Sequence, residues 1–128
     1  MPEHTIITTD TAPAPGGHYS QATVYGDLVF CCGQVGVDPA TGTLASGVAA
    51  QTEQTLRNLG AVLEAAGSDW SRVLKVLAFL DDVETFAEFN DVYRRIVGAD
   101  PPPRSTVGGK LAGDLLVEIE CVAYRAPQ

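Results

Sequence analysis

The stretch Leu115-Leu116-Val117-Glu118-Ile119-Glu120-Cys121-Val122-Ala123-Tyr124 decides the fold. Side chains alternate across a strand with period two. Val117, Ile119, Cys121 and Ala123 therefore share one face, and Leu116, Glu118, Glu120 and Val122 share the other. Both faces carry apolar groups, so this strand needs cover on both sides. Two carboxylates in such company are costly unless paired or solvated.

Working outward, Arg104 to Val107 reads as the preceding strand. The cluster Ala99-Asp100-Pro101-Pro102-Pro103 separates it from a helix. Phe86, Phe89, Tyr93 and Val97 recur at helical spacing and mark that helix's buried face. Asp81 or Asp82 can cap it, with Glu84 in the first turn. Asp91 can pair with Arg94 or Arg95 on the exposed side. Val73 to Leu80 reads as a strand. Residues 48–66 read as a helix whose buried face is Val48, Thr52, Leu56, Leu59, Leu63 and Ala66. Glu53 and Arg57 form an i,i+4 pair on its exposed side, and Gly67 stands where a C-terminal glycine belongs. Gly60 inside this helix implies close packing or a weakened helix.

Further upstream, residues 21–32 read as a hairpin turning at Gly26-Asp27. Leu28 to Cys32 is a nearly continuous apolar run, which implies burial on both faces. Asp38-Pro39-Ala40-Thr41-Gly42 is a turn, and residues 5–9 form a short β-branched strand. The order is strands, helix, strand, helix, strands. It predicts one α+β domain over 1–128, a sheet with two helices packed on one face. In a chain this short nothing is left to cover the other face, and self-association is the expected remedy.

The chain has 128 residues, 45% of them apolar, with a net charge of -8 from 8 basic and 16 acidic residues. That apolar content excludes a disordered chain. The charge disfavours a nucleic-acid platform or an anionic membrane surface as partner, since both draw on clustered Lys and Arg. No apolar run approaches the roughly 20 residues that span a bilayer. Met1-Pro2-Glu3-His4 lacks the features of a secretory leader, and three cysteines, two of them adjacent, suit a reducing compartment. The reading is cytoplasmic. With His4 and His18 the only histidines and no C-x-x-C, no metal site is expected.

Several residues could carry chemistry. Arg104 follows three prolines and could grip a carboxylate bidentately, or simply sit on the surface at a strand start. Glu118 and Glu120 could hold a desolvated acid/base, or form a solvated pair. Asn90 could bond a ligand or satisfy backbone. Tyr19 could serve a site or cap a strand. Cys32 lacks a neighbouring cation in sequence that would make it a thiolate.

Taken together, ordered segments resemble one family. They are Gly17-His18-Tyr19-Ser20-Gln21-Ala22, Cys32-Gly33-Gln34-Val35-Gly36, Asp38-Pro39-Ala40-Thr41-Gly42, Leu63-Glu64-Ala65-Ala66-Gly67, Phe86 to Tyr93, Pro103-Arg104-Ser105-Thr106-Val107 and Val117-Glu118-Ile119-Glu120-Cys121-Val122-Ala123. The set resembles the Rid, or YjgF-type, reactive-intermediate (enamine/imine) deaminases. The resemblance implies a chorismate-mutase-like fold, a homotrimer around a central barrel, and active sites between subunits. It implies hydrolysis of 2-imino acids, such as 2-iminopropanoate or 2-iminobutanoate, to 2-oxo acids and ammonia without metal or cofactor. By the same resemblance Arg104 binds the substrate carboxylate and Glu118 positions water. Tyr19, Gly33, Asn90 and Thr106 then line the pocket, together with Cys32, which stands where serine is usual. His18 replaces the usual proline. Two other readings share this pocket: a regulatory module that binds a small carboxylate without turnover, and a pathway-specific enzyme acting on a larger substrate.

Overall fold

The computed structural model describes residues 3–127; Met1 and Pro2, part of the N-terminal stretch read as leaderless, lie outside them. The elements in chain order are β1 (Thr5–Ile7), β2 (Ala22–Tyr25), β3 (Leu28–Val35), α1 (Val48–Ala65), β4 (Val73–Leu80), α2 (Phe86–Val97), β5 (Arg104–Gly108) and β6 (Val117–Tyr124). The strands form one mixed sheet in the order β1-β2-β3-β6-β4-β5. Only β4 and β5 pair in parallel, because α2 carries the chain back between them. No helix among the described residues is long and apolar enough to cross a membrane.

The core lies between the two helices and one sheet face. Leu56, Leu59, Val62 and Leu63 of α1 are fully buried against Val29, Val76, Ile119 and Ala123. The helical period of the sequence was sufficient for Leu56, Leu59 and Leu63, while Val62 lies off the expected stripe and is buried as well. Gly67 adopts φ +83° just after the helix, the left-handed C-terminal conformation expected of it. Gly60 has a packing reason. A Cβ there would stand 3.3 Å from Trp70 Nε1, which donates to the Leu56 carbonyl. Asp82 caps a single 3₁₀ turn, Val83–Thr85, ahead of α2 rather than α2 itself.

Three expectations need correction. Phe86, expected on the buried face of α2, is 39% exposed, because it opens the helix, whose buried residues are Phe89, Val92 and Tyr93. Leu28 to Cys32 is not buried on both faces within one chain. Val29 and Cys31 are buried, but Leu28 and Phe30 are 40% and 45% exposed. Both helices cover the same face, so the alternate residues of β3 meet nothing. Tyr25, Val107 and Tyr124 extend this uncovered apolar face. Asp91 forms no pair with Arg94 or Arg95. Arg95 instead reaches Glu53 of α1 at 3.3 Å, and Glu53 also holds Arg57 at 3.4 Å. Contact between the helices outcompetes the local i,i+4 geometry.

One irregularity interrupts the pairing of β3 with β6. Cys31 registers with Cys121 and Gln34 with Ile119. Cys32 and Gly33 thus oppose Glu120 alone, which is a β-bulge. Beyond it, Asn58 of α1 donates from Nδ2 to the Val35 and Val37 carbonyls, both at 2.8 Å, and so ties the end of β3 to the helix.

Truncating the α1 seam leaves a cavity that the sheet cannot close. Leu59→Ala is expected to lower unfolding free energy by about 2–5 kcal/mol in urea titration. Glu64→Ala, on the exposed side, should stay within about 0.5 kcal/mol.

Candidate functional site

Arg104 begins β5, at the outer edge of the sheet. The three prolines ahead of it restrict the approach, and the Pro103 carbonyl accepts from Val76 N at 3.0 Å. Arg104 registers with Val76, a buried residue under the helices. Its side chain therefore turns toward α2. There the guanidinium lies over three rings, 4.5 Å from the Tyr93 centroid, 5.3 Å from Phe89 and 5.5 Å from Phe86. Each such contact is worth about 0.5–2 kcal/mol, more when water is excluded. The cage fixes a cation without neutralising it. A groove of about 310 Å³ opens beside it, lined by Asn90, Tyr93, Arg94, Pro101 and Pro102 among others. Burial raises the pKa of the Tyr93 phenol, and the adjacent Arg104 charge opposes that rise. The Tyr93 hydroxyl is buried, and although the guanidinium lies close, no partner stands in good hydrogen-bonding geometry. Thr106 follows on the same sheet face, half-buried, in register with Ala78. It lines neither this groove nor the next.

Glu118 occupies the other side of the sheet. It registers with Phe79 on β4 and Val35 on β3, on the face the helices leave open. Its carboxylate lies over Gly33 in the bulge. A Cβ on Gly33 would stand 3.0 Å from both Glu118 Cγ and Cδ, and would collide with Oε2. Burial pushes the Glu118 pKa above the ordinary Glu range, and the Glu120 charge adds to the rise. A second groove, of about 400 Å³, includes Glu118, Gly33, Gln34, Leu115 and Tyr19 in its wall. Tyr19 is half-exposed, and its hydroxyl accepts from Gly16 N at 3.0 Å.

The Cys32 thiol sits next to this groove without lining it. Its pKa is pushed up to about 11 by burial first, then by Cys31, Glu118 and Glu120, while a contact from Gln34 opposes the rise. Gln34 Nε2 approaches the sulfur at 3.7 Å. Cys32 is therefore a neutral thiol at physiological pH, a weak nucleophile.

Of the residues singled out in the sequence, Tyr19, Gly33 and Glu118 come together in one groove, and Arg104 and Asn90 in another. The two groups lie on opposite faces of the sheet, and one chain does not unite them. Among the described residues no cluster of three or more His, Cys, Asp or Glu is placed to hold a metal ion.

A family model described as Endoribonuclease L-PSP matches residues 9–125. The chain belongs to this family, the Rid (YjgF/RidA/RutC) proteins. It is 43% identical over 122 residues to a RutC family protein of Pyrococcus horikoshii, covering 94% of this chain and 97% of that one. It is 38% identical over 130 residues to a Bos taurus protein named 2-iminobutanoate/2-iminopropanoate deaminase, covering 95% and 90%. The solved structure of RidA from Psychrobacter sp. PAMC 21119 superposes with a TM-score of 0.91 at 40% identity, covering 94% of this chain and 98% of that one. The single α+β domain is thus a Rid domain.

Some residues that build the two candidate grooves were missed in the sequence or read only as core. Gln21 is buried. Its Nε2 donates to the Thr9 and Pro13 carbonyls, and its Oε1 accepts from Thr9 N at 2.7 Å. These bonds hold the Pro/Gly loop that carries Tyr19. Gln51 of α1 likewise accepts from Leu116 N at 2.8 Å and donates to the Asp114 carbonyl at 3.3 Å, fixing the entry to β6. A polar residue inside a strand or helix pattern signals only that it needs a partner. Phe89 and Tyr93 read as core, and nothing in their spacing told of a cation above them.

The raised Glu118 pKa has a signed consequence for stability. Below the ordinary Glu pKa both folded and unfolded states are protonated there, and the shift contributes nothing. As pH rises, the unfolded state ionises first, so the native state loses stability until Glu118 itself ionises. Glu118→Gln is expected to raise the melting temperature at neutral pH and to give no gain at pH below the ordinary Glu range. Calorimetry at both pH values checks this, and an equal effect at both would contradict the burial of the carboxylate.

Proposed function

We propose that this chain is a deaminase of reactive 2-imino and enamine acids. It would hydrolyse species such as 2-iminopropanoate or 2-iminobutanoate to 2-oxo acids and ammonia, in the cytoplasm and with neither metal nor cofactor. The observation that carries the reading is the caged but unneutralised Arg104 guanidinium at the wall of a groove. No carboxylate lies within ion-pairing distance of it among the described residues. Such a group is suited to a substrate carboxylate, which it would hold through two parallel hydrogen bonds.

The catalytic work divides between the substrate and two side chains. An iminium carbon is already electrophilic, so a weak nucleophile suffices. Water adds its oxygen to that carbon, the carbon–nitrogen bond breaks, and nitrogen leaves as ammonia once protonated. Glu118 would orient the water, accept its proton and return a proton to the departing nitrogen. A carboxyl group lifted out of its ordinary range suits both roles nearer neutral pH. Enamine tautomers would first be protonated at carbon. Holding the carboxylate and the water in place contributes several kcal/mol or more to lowering the barrier.

The chain would assemble as a homotrimer, with each cleft formed by the Arg104 groove of one copy and the Glu118 groove of the next. Two observations support this. The uncovered sheet face carries exposed Leu28, Phe30 and Tyr124, and each copy holds its two grooves on opposite faces of one sheet. The family description names an endoribonuclease. A net charge of -8 argues against RNA as the substrate here.

Coupled assay with a pyridoxal-phosphate dehydratase and semicarbazide trapping tests the reading. Wild-type protein should compete with semicarbazide for 2-iminopropanoate. Arg104→Ala should lose about a hundredfold or more in kcat/KM while sedimenting like wild type. No acceleration over buffer by wild type would sink the proposal. A rise in melting temperature with small 2-oxo acids, without turnover, would point to a binding module instead.

Assembly is checked separately. Phe30→Glu places a charge on the open face, and should convert a particle of three 13.5 kDa chains to a single chain by analytical ultracentrifugation. A wild-type protein already sedimenting as one chain would contradict the trimer.

A further inference from the structure

The groove beside Arg104 holds more cation than a monocarboxylate needs. Its charged lining consists of Arg104 and Arg94 alone. Arg94 stands one turn after Asn90 on α2, and its side chain has no ion-pair partner among the described residues. Its neighbour Arg95 is occupied by Glu53. A cation in a helix's last turn is favourable in any protein, so Arg94's position along α2 says little by itself. Its surroundings say more. The chain carries a net charge of -8, and three other grooves on its surface each include carboxylates: Glu118 in one, Asp81 and Asp114 in another, Asp10 in the last. The groove with both arginines includes none. The Tyr93 hydroxyl on its wall is also buried without a well-placed partner.

We infer that this groove is built for a substrate with two carboxylates, a 2-imino acid whose short side chain ends in a second carboxylate. The inference rests on the deaminase reading above and extends it. Arg104, fixed by its three rings, would hold the carboxylate next to the imine. Arg94 would hold the distal one. In a strongly acidic protein a dianion is repelled from most of the surface. Two guanidinium groups in one groove, with no carboxylate of the same chain in its lining, create a place where it is attracted. The rest of the lining is uncharged: Asn90, Tyr93, Val97, Gly98, Pro101 and Pro102. Arg94 is the one charged lining group besides Arg104, so charge at the substrate's far end would decide selection.

The test compares two imines made in place by amino-acid oxidases, 2-iminopentanedioate and 2-iminopropanoate, at fixed ionic strength with semicarbazide trapping. The ratio of their kcat/KM values is the readout. Wild type should favour the dicarboxylate. Arg94→Gln should lower the ratio about tenfold, chiefly through KM, as loss of a charge-assisted contact predicts. Arg94→Glu should lower it further, and Arg94→Lys should retain most of it. A wild-type ratio at or below one, or a ratio that Arg94→Gln leaves unchanged, overturns the inference while the deaminase reading stands. Calorimetry with 2-oxopentanedioate and pyruvate separates the two claims from the other side. Tighter, Arg94-dependent binding of the dicarboxylate without turnover of either imine would keep the groove assignment and defeat the deaminase reading.

Discussion

A strand points successive side chains to opposite faces, and the two candidate catalytic groups fall on opposite parities of one sheet. Arg104 registers with Val76, beneath the helices. Glu118 registers with Phe79, on the open face. No rotamer change within one chain brings a guanidinium and a carboxylate together through a sheet. If both act on one small molecule, the second group must arrive from another copy. The uncovered apolar face of the sheet then serves two ends, burying surface that a chain of this size cannot cover alone and carrying one chain's Glu118 to another's Arg104.

Each group is prepared before any ligand arrives. Arg104 is stacked on Tyr93, Phe89 and Phe86, so gripping a carboxylate, as proposed, would cost it little further entropy. Glu118 is held where the bulge removes a side chain, over Gly33, and where burial and Glu120 resist its ionisation. That placement resists ionisation of the carboxylate, as the proposed acid/base role would require. Cys32 shares the same surroundings, and they keep its thiol neutral.

Much of this architecture was legible in the residues. The apolar spacing from Val48 to Ala66 and the glycine at 67 were enough for α1, because a helix's period and its terminus are local properties. The strand over 73–80 was legible for the same reason, and the one expected over 115–124 begins two residues later, at Val117. What was lost depended on distant partners. Alternation in Leu28 to Cys32 could not show which face lacked a covering layer. Asp91 was one turn from its expected partner, but Glu53 on the other helix won Arg95. The bulge at Cys32-Gly33 is a mismatch between two strands far apart in the chain, with no signature in either. Family resemblance pointed to Arg104, Glu118, Tyr19, Gly33 and Asn90, each of which lines a groove, and to Cys32 and Thr106, which line neither. It implied a site between subunits, but not which of these residues fall together within one chain.

The division of labour between copies is tested most directly by mixing two inactive variants. Arg104→Ala retains Glu118, and Glu118→Ala retains Arg104. If each cleft takes one group from each of two copies, unfolding and refolding the variants together should restore roughly a quarter of the clefts, and imine hydrolysis with them. If the mixture forms wild-type-sized particles and stays as inactive as its components, the two groups do not meet across a subunit boundary, and the account is wrong.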